Sequence, residues 1–199
     1  MPENAARPSK RGPYARGRKN RQLILDAAME VIGDKGYNST LLQDIAAEVG
    51  ITPAGILHHF ESKEALLAEV LRERDTVNRQ RFAGGDEQYP MTVHVMRHNA
   101  GVPGLIQLYV STVAAASDPH HPLREYLLER DAEILESVKA DIVRRQEAGT
   151  VNPGVDAEKF ARVLVSLSDG LQAQWTIDST IDLPGVLEWL WETLAAPPR

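Results

Sequence analysis

A chain of 199 residues, 43% hydrophobic and 25% charged, is long enough to bury a sizeable core and unlike a disordered or collagen-like polymer. It contains no cysteine, which excludes disulfides, thiol nucleophiles, iron–sulfur clusters and cysteine zinc sites and leaves His, Asp and Glu as the ligands for any metal. The net charge of −6 argues against a polyanionic partner, but residues 1–21 carry Arg7, Lys10, Arg11, Arg16, Arg18, Lys19 and Arg21 against Glu3, seven cations to one carboxylate, while the remainder holds 15 basic and 27 acidic side chains. An acidic body with a basic arm over 1–20 makes a nucleic-acid contact at one end or carries a solubilising tail. There is no apolar run of membrane-spanning length, and the first 21 residues lack the apolar core of a signal peptide. The expectation is a cytoplasmic protein with no membrane partner.

Helical periodicity runs through the chain and alternating strand patterns are missing, so the fold class predicted is all-α. Ile24, Ala27, Ala28, Val31 and Ile32 lie on one face of a first helix, with Gly36 at its C-terminal stop. Thr40, with Gln43 three positions on, reads as a capping box opening a short second helix that turns Leu42, Ile45, Ala46 and Val49 inward and breaks at Gly50. Thr52 caps a third helix with Pro53 in its first turn, and Ser62 precedes a fourth whose stripe is Leu66, Leu67, Val70 and Leu71. The stretch Ala83-Gly84-Gly85-Asp86 through Tyr89-Pro90 is a connection, dividing a domain over 21–82 from one over 83–199.

Beyond it, Met91 to Asn99 is a short helix, and Leu105, Leu108, Tyr109, Thr112, Val113 and Ala116 mark a stronger one ended by Asp118-Pro119. A long helix spans Pro122 to Ala148 under a charged outer face and closes at Gly149. Asp156 caps a helix carrying Phe160, Val163, Leu164, Leu167 and Leu171, and after Pro184 a last one carries Leu187, Leu190, Trp191 and Leu194.

Helices two and three, joined at Gly50-Ile51, have helix-turn-helix spacing. From Ile24 to Leu71 the chain resembles the N-terminal DNA-binding domain of the tetracycline-repressor (TetR) family: the alanine pair, the glycine before an aromatic, Asp44-Ile45-Ala46, the turn glycine and Phe60-x-x-Lys63-Glu64-x-Leu66. The resemblance implies a ligand-responsive transcriptional regulator, a repressor that binds a palindromic operator in double-stranded DNA as a homodimer and is released by a small-molecule effector. It implies neither catalysis nor a cofactor. By that analogy Thr40 and Lys63 hold phosphates, and helix N-termini suit anions.

The recognition helix presents Thr52, Pro53, Ala54, Gly55, His58 and His59; Leu57 and His59 stand where the family often has aromatic residues. It carries no Arg, Asn or Gln, so bidentate base contacts are unavailable from it. Thymine methyls for its first turn, Gln43 as a second reader, and Arg18 and Arg21 from the basic arm complete the expected DNA-binding set.

In the C-terminal domain the resemblance implies an effector pocket, for which Met96, Leu105, Leu108, Tyr109, Thr112, Tyr126 and Trp175 are candidates, all equally explained by core packing. It also implies a dimer interface on the last two helices. Phe160, Leu164, Leu167, Leu171, Leu187, Leu190 and Trp191 are read as serving partly that interface and partly the internal core. His94 and His98, one turn apart, and His120-His121 offer a metal site, but the glutamate of the zinc hydrolase signature is missing and the second pair reads as a loop, so no metal is expected. An enzyme and an effector-free DNA-binding protein are the competing classes; no phosphate loop or nucleophile elbow supports the first.

Overall fold

The computed structural model describes residues 13–36, 40–83, 86 and 88–196, and among them the only regular elements are α-helices. Arg7, Lys10, Arg11, Tyr37, Gly84 and Gly85 lie outside the described residues. Helix α1 spans Pro13–Lys35, α2 Leu42–Val49, α3 Pro53–His59 and α4 Lys63–Phe82. They are followed by α5 (Met91–Asn99), α6 (Pro103–Ala115), α7 (Arg124–Glu147), α8 (Ala157–Trp175) and α9 (Leu183–Leu194). No helix among the described residues is long and apolar enough to cross a membrane.

Capping chemistry explains most of these boundaries. Thr52 accepts a hydrogen bond from the Gly55 amide (3.1 Å) to open α3, Ser62 one from Ala65 (3.0 Å) to open α4, and Asp156 two from Glu158 and Lys159 to open α8. The glycines at positions 36, 50 and 149 end α1, α2 and α7 with φ of 79°, 74° and 72°, a left-handed conformation that other residues adopt at a cost. The last helix begins one residue before Pro184, which falls within its first turn, and Asp182 caps it.

Two boundaries differ from the sequence reading. Helix α1 starts at Pro13, so Gly17 to Asn20 of the expected arm are helical; a proline at the first helical position loses no hydrogen bond, and nothing further on interrupts the helix. At α2 the cap is Leu41, whose amide donates to Asp44 Oδ2 (2.8 Å), while Thr40 sits buried outside the helix with its hydroxyl donating to Gly36 O (2.9 Å). The carboxylate at the third helical position outcompetes Gln43 for the exposed amide, because charge assistance strengthens the bond. Asp44 is further held by Lys35 (2.8 Å), and that ammonium, with the Leu41 amide, keeps its carboxyl below the usual range.

The hydrophobic interior forms two clusters. The first joins the inward faces of α1 to α4 with Leu105, Leu108 and Tyr109 of α6 and Leu123 and Tyr126 at the start of α7. The second joins α5, α8 and α9 with Ile106 of α6 and Val138 and Ile142 of α7. Helix α6 belongs to both cores. Its first turn lies so close to the end of α1 that a Cβ on Gly104 would sit 1.7 Å from Ile32 O. The 86–90 connection is pinned by buried Arg145 of α7, which donates to Asp86 O (2.7 Å) and Tyr89 O (3.0 Å).

Candidate functional site

Two sites emerge, one on the surface of the α1–α4 domain and one inside the other half. On the surface, Gln43, Thr52, Pro53, Ala54 and His58 are exposed and Gly55 is half-buried. Thr52 is occupied in capping, and its methyl and the Pro53 and Ala54 side chains form an apolar leading edge to α3, extended by exposed Ile51 and Leu57. Thr40 and Lys63 line one crevice where the starts of α2 and α4 meet, with Ile32 and Leu42 behind them. Two helix N-termini thus converge there, which concentrates positive dipole ends.

The remaining cations divide. Arg18 is exposed on α1. Arg21 is engaged within the domain: it pairs with Glu69 of α4 (2.8 Å) and lies over the Phe60 ring at 4.7 Å. His59, half-buried, borders the same crevice as Arg21, facing Leu123 and Tyr126 at the start of α7. His58 and His59 meet edge to face with ring centroids 5.7 Å apart.

The internal site is a cavity of about 330 Å³ between α4, α5, α7 and α8, within the size range of small-molecule pockets. Met91, Val95, Met96, Ile134, Val138 and Val165 give it an apolar wall. The opposite wall is polar. Arg130 grips Asp75 with two hydrogen bonds (2.5 and 3.1 Å), and Arg74 approaches the same carboxylate at 3.4 Å while donating to Leu105 O (3.2 Å). Burial works against the charge on Asp75, but the two guanidiniums prevail and hold its carboxyl below the ordinary range.

Asp169 of α8, also on the wall, accepts from Tyr109 Oη at 2.9 Å; here burial dominates and pushes the carboxyl up. Burial likewise raises Tyr126 to about 12, and the Asp75 charge adds to it. Four polar atoms on residues that line this space have no hydrogen-bond partner among the described residues: Arg74 Nε, Asn78 Oδ1, Tyr126 Oη and Gln172 Oε1. Each such group costs about 1–3 kcal/mol when left unmade, so four on one wall are not incidental to packing.

Of the seven residues expected to line a pocket, the structure places Met96 and Tyr126 on the cavity. Tyr109 stands just behind the wall, its ring beneath Arg130 (4.6 Å) and Arg74 (5.2 Å). Leu105 and Leu108 are buried in the first core, Thr112 is buried with its hydroxyl donating to Leu108 O, and half-buried Trp175 packs on the second core. The four from α6 are core because that helix serves both clusters and has little surface left for a cavity, and Trp175 ends α8 beyond the residues that line it. Arg74, Asp75, Asn78, Arg130, Asp169 and Gln172 are the lining residues that periodicity passed over. A signal existed: the α4 stripe Leu67, Val70, Leu71 continues at helical spacing into Arg74 and Asn78, and that of α8 runs from Leu164 through Ser168 to Gln172, all buried.

Among the expected interface residues, Phe160, Leu164, Leu171, Leu187 and Trp191 are buried within a single protomer, Phe160 stacking on Trp191 at 5.6 Å. Leu167 and Leu190 are half-buried, and the outer faces of α8 and α9 show Val163, Gly170, Trp189 and Leu194 to the outside. An inward apolar stripe is satisfied by the nearest neighbour, here the other terminal helix. His94 and His98 flank the Phe82 ring at 6.1 and 5.8 Å, so their shared face is an aromatic packing surface.

Residues 24–70 match the family model for bacterial regulatory proteins of the tetR family. Over these residues, from α1 into the first half of α4, the chain is similar to that family. It is 26% identical to the A-factor receptor protein of Streptomyces griseus over 84% of this chain and 59% of that one, so it spans less than two thirds of that relative's length. It is 25% identical to the HTH-type transcriptional regulator UidR of Escherichia coli over 77% of this chain and 80% of the relative. A transcriptional regulator of Saccharomonospora viridis, solved in complex with choline, shares the fold with a TM-score of 0.71 at 23% identity, covering 92% of this chain and all of that one. The matched residues take in α2 and α3, whereas every residue lining the cavity lies beyond the match.

Proposed function

We propose that the chain is a ligand-responsive transcriptional regulator, a repressor that binds a palindromic operator as a homodimer and releases it when a small molecule occupies the cavity. The observation that carries this reading is the double duty of α4. Leu66, Leu67, Val70 and Leu71 of its first half are buried in the core of the DNA-binding domain, and Arg74 and Asn78 of its second half form the cavity wall. A ligand that prefers one placement of α4 therefore biases the placement of α3, and only such differential affinity can drive release. The A-factor receptor by its name receives a small molecule, and the Saccharomonospora viridis regulator was solved with choline, which supports a sensing role for the corresponding half.

On DNA, Thr52, Pro53 and Ala54 meet thymine methyls, Gln43 and His58 reach base edges or phosphate, and Lys63 at the N-terminus of α4 meets a phosphate. Two copies join through the outer faces of α8 and α9, as a palindrome requires. The protein acts in the cytoplasm and carries no catalytic function. A mobility-shift assay on DNA flanking its own gene, repeated with candidate compounds, tests the reading. A saturable complex dissolved by one compound class is the expected result; a dimer that binds no flanking DNA would sink it.

A further inference from the structure

The cavity wall specifies more than that a ligand binds. Its lining carries four guanidiniums, Arg72, Arg74, Arg79 and Arg130, and four carboxyls, Asp75, Glu129, Glu133 and Asp169, so the formal charges cancel, with Asp75 held by Arg130 and Arg74 and Glu133 by Arg79. What is left unpaired is a set of single hydrogen-bonding positions: the N–H of Arg74 Nε, the phenol of Tyr126, and the amide oxygens of Asn78 and Gln172. All four residues are more than nine-tenths buried, with relative exposures of 4%, 8%, 4% and 3%. Turning either amide over exchanges an acceptor for a donor, and in both settings the wall asks for a partner that donates and accepts. The facing wall of Met and aliphatic side chains asks for an apolar body.

We infer that the cavity's ligand is an uncharged amphipathic compound whose polar end carries both hydroxyl-type donors and carbonyl- or ether-type acceptors, met by Arg74, Asn78, Tyr126 and Gln172, with its aliphatic part along Val95, Met96 and Val138. An organic anion or cation of the same size must leave its charge uncompensated among groups that already neutralise one another. The inference rests on the regulator reading only in calling this compound an effector; the binding itself does not need DNA.

The test is calorimetric titration of the full chain with three probes of equal chain length, below their aggregation concentrations: 1-monooctanoylglycerol, octanoate and octyltrimethylammonium. The neutral glyceride should bind saturably, one per chain, at least tenfold tighter than either ion. The Asn78→Leu/Gln172→Leu double variant should lose at least tenfold in affinity for it, while its ligand-free melting temperature stays equal or rises, because unpaired buried amides have been replaced by apolar groups. Tighter binding of either ion, no saturable binding of the glyceride, or an undiminished affinity in the double variant would overturn the inference. The probe ranking on the unaltered chain stands whether or not the variant folds. A chain that ranks the probes as stated yet finds no operator supports the binding inference and damages the regulator reading; one that holds its operator but prefers an ion does the reverse.

Discussion

Asp75 and Asp169 show how neighbours a few ångströms away give one side-chain type opposite behaviour. Asp75 is held ionised between Arg130 and Arg74, whereas Asp169 has burial as its leading influence and a phenol as its hydrogen-bond donor. A carboxyl raised in the folded state binds its proton more tightly there than in the unfolded chain, so its contribution is most favourable below the ordinary pKa of 3.8 and is lost as pH rises through the folded value. Asp169→Asn, which keeps an acceptor for Tyr109, should therefore stabilise the protein at neutral pH, with the gain shrinking as pH falls through the folded value and gone below the unfolded one. Thermal melts of both proteins across the acid range check this; a gain that grows on acidification would contradict the assignment. Apart from Arg74 beside Asp75, the partners are distant in sequence: Arg130 is 55 residues from Asp75, and Tyr109 is 60 from Asp169. Nothing local could have revealed these pairings.

At the scale of elements, α6 is the hinge of the molecule, since its residues enter both cores and Gly104 lets its first turn touch the end of α1. Gly104→Ala must push the two helices apart, because the new Cβ meets backbone rather than a movable side chain. Overpacking of this kind costs about 1–3 kcal/mol. Denaturant unfolding should show a loss of that order, and hydrogen exchange should quicken at the end of α1 and the start of α6. Helix α1 carries a second expectation. Since it begins at Pro13, removing residues 1–12 leaves it whole while deleting Arg7, Lys10 and Arg11. If those cations neutralise phosphates, the truncated chain binds DNA more weakly and the salt slope of log K flattens by about 0.9 for each phosphate no longer neutralised. Equal affinity and slope would make the segment a passive tail. The short helices α2 and α3 were legible because their stops are chemical, Gly50 and Thr52-Pro53. The cap of α2 was not, since Gln43 and Asp44 are both plausible and only the place of Lys35 shows which is held.

For the whole molecule, the arrangement of α8 and α9 decides how two copies can meet. Most of their apolar stripe is spent inside one protomer, which leaves an outer face with Val163, Leu167, Gly170 and the exposed Trp189 along it. Gly170 is the sharpest probe of that face, because a Cβ there meets nothing within 4 Å inside the protomer. Gly170→Arg should leave the fold of a protomer intact, and even favour the helix by about 1 kcal/mol through propensity, while placing a bulky cation at the proposed contact. Sedimentation should then report a dimer for the unaltered chain and a monomer for the variant, with operator affinity falling alongside. A variant that remains dimeric would move the interface elsewhere.

Composition, periodicity and punctuation were enough for the all-α class, the positions of the helices, the glycine stops, the helix-turn-helix and, through Ile24 to Leu71, the likeness to the TetR family's DNA-binding domain. These are legible because they depend on residues within a turn or two of one another. Which apolar stripes face a partner and which an internal neighbour, and which residues line the cavity, were decided only by tertiary packing. Leu105 and Leu108 look like Met96 in a helical pattern, yet α6 is sealed between two cores while α5 borders a space. The polar wall is assembled from α4, α7 and α8, so its chemistry exists only where those distant segments meet.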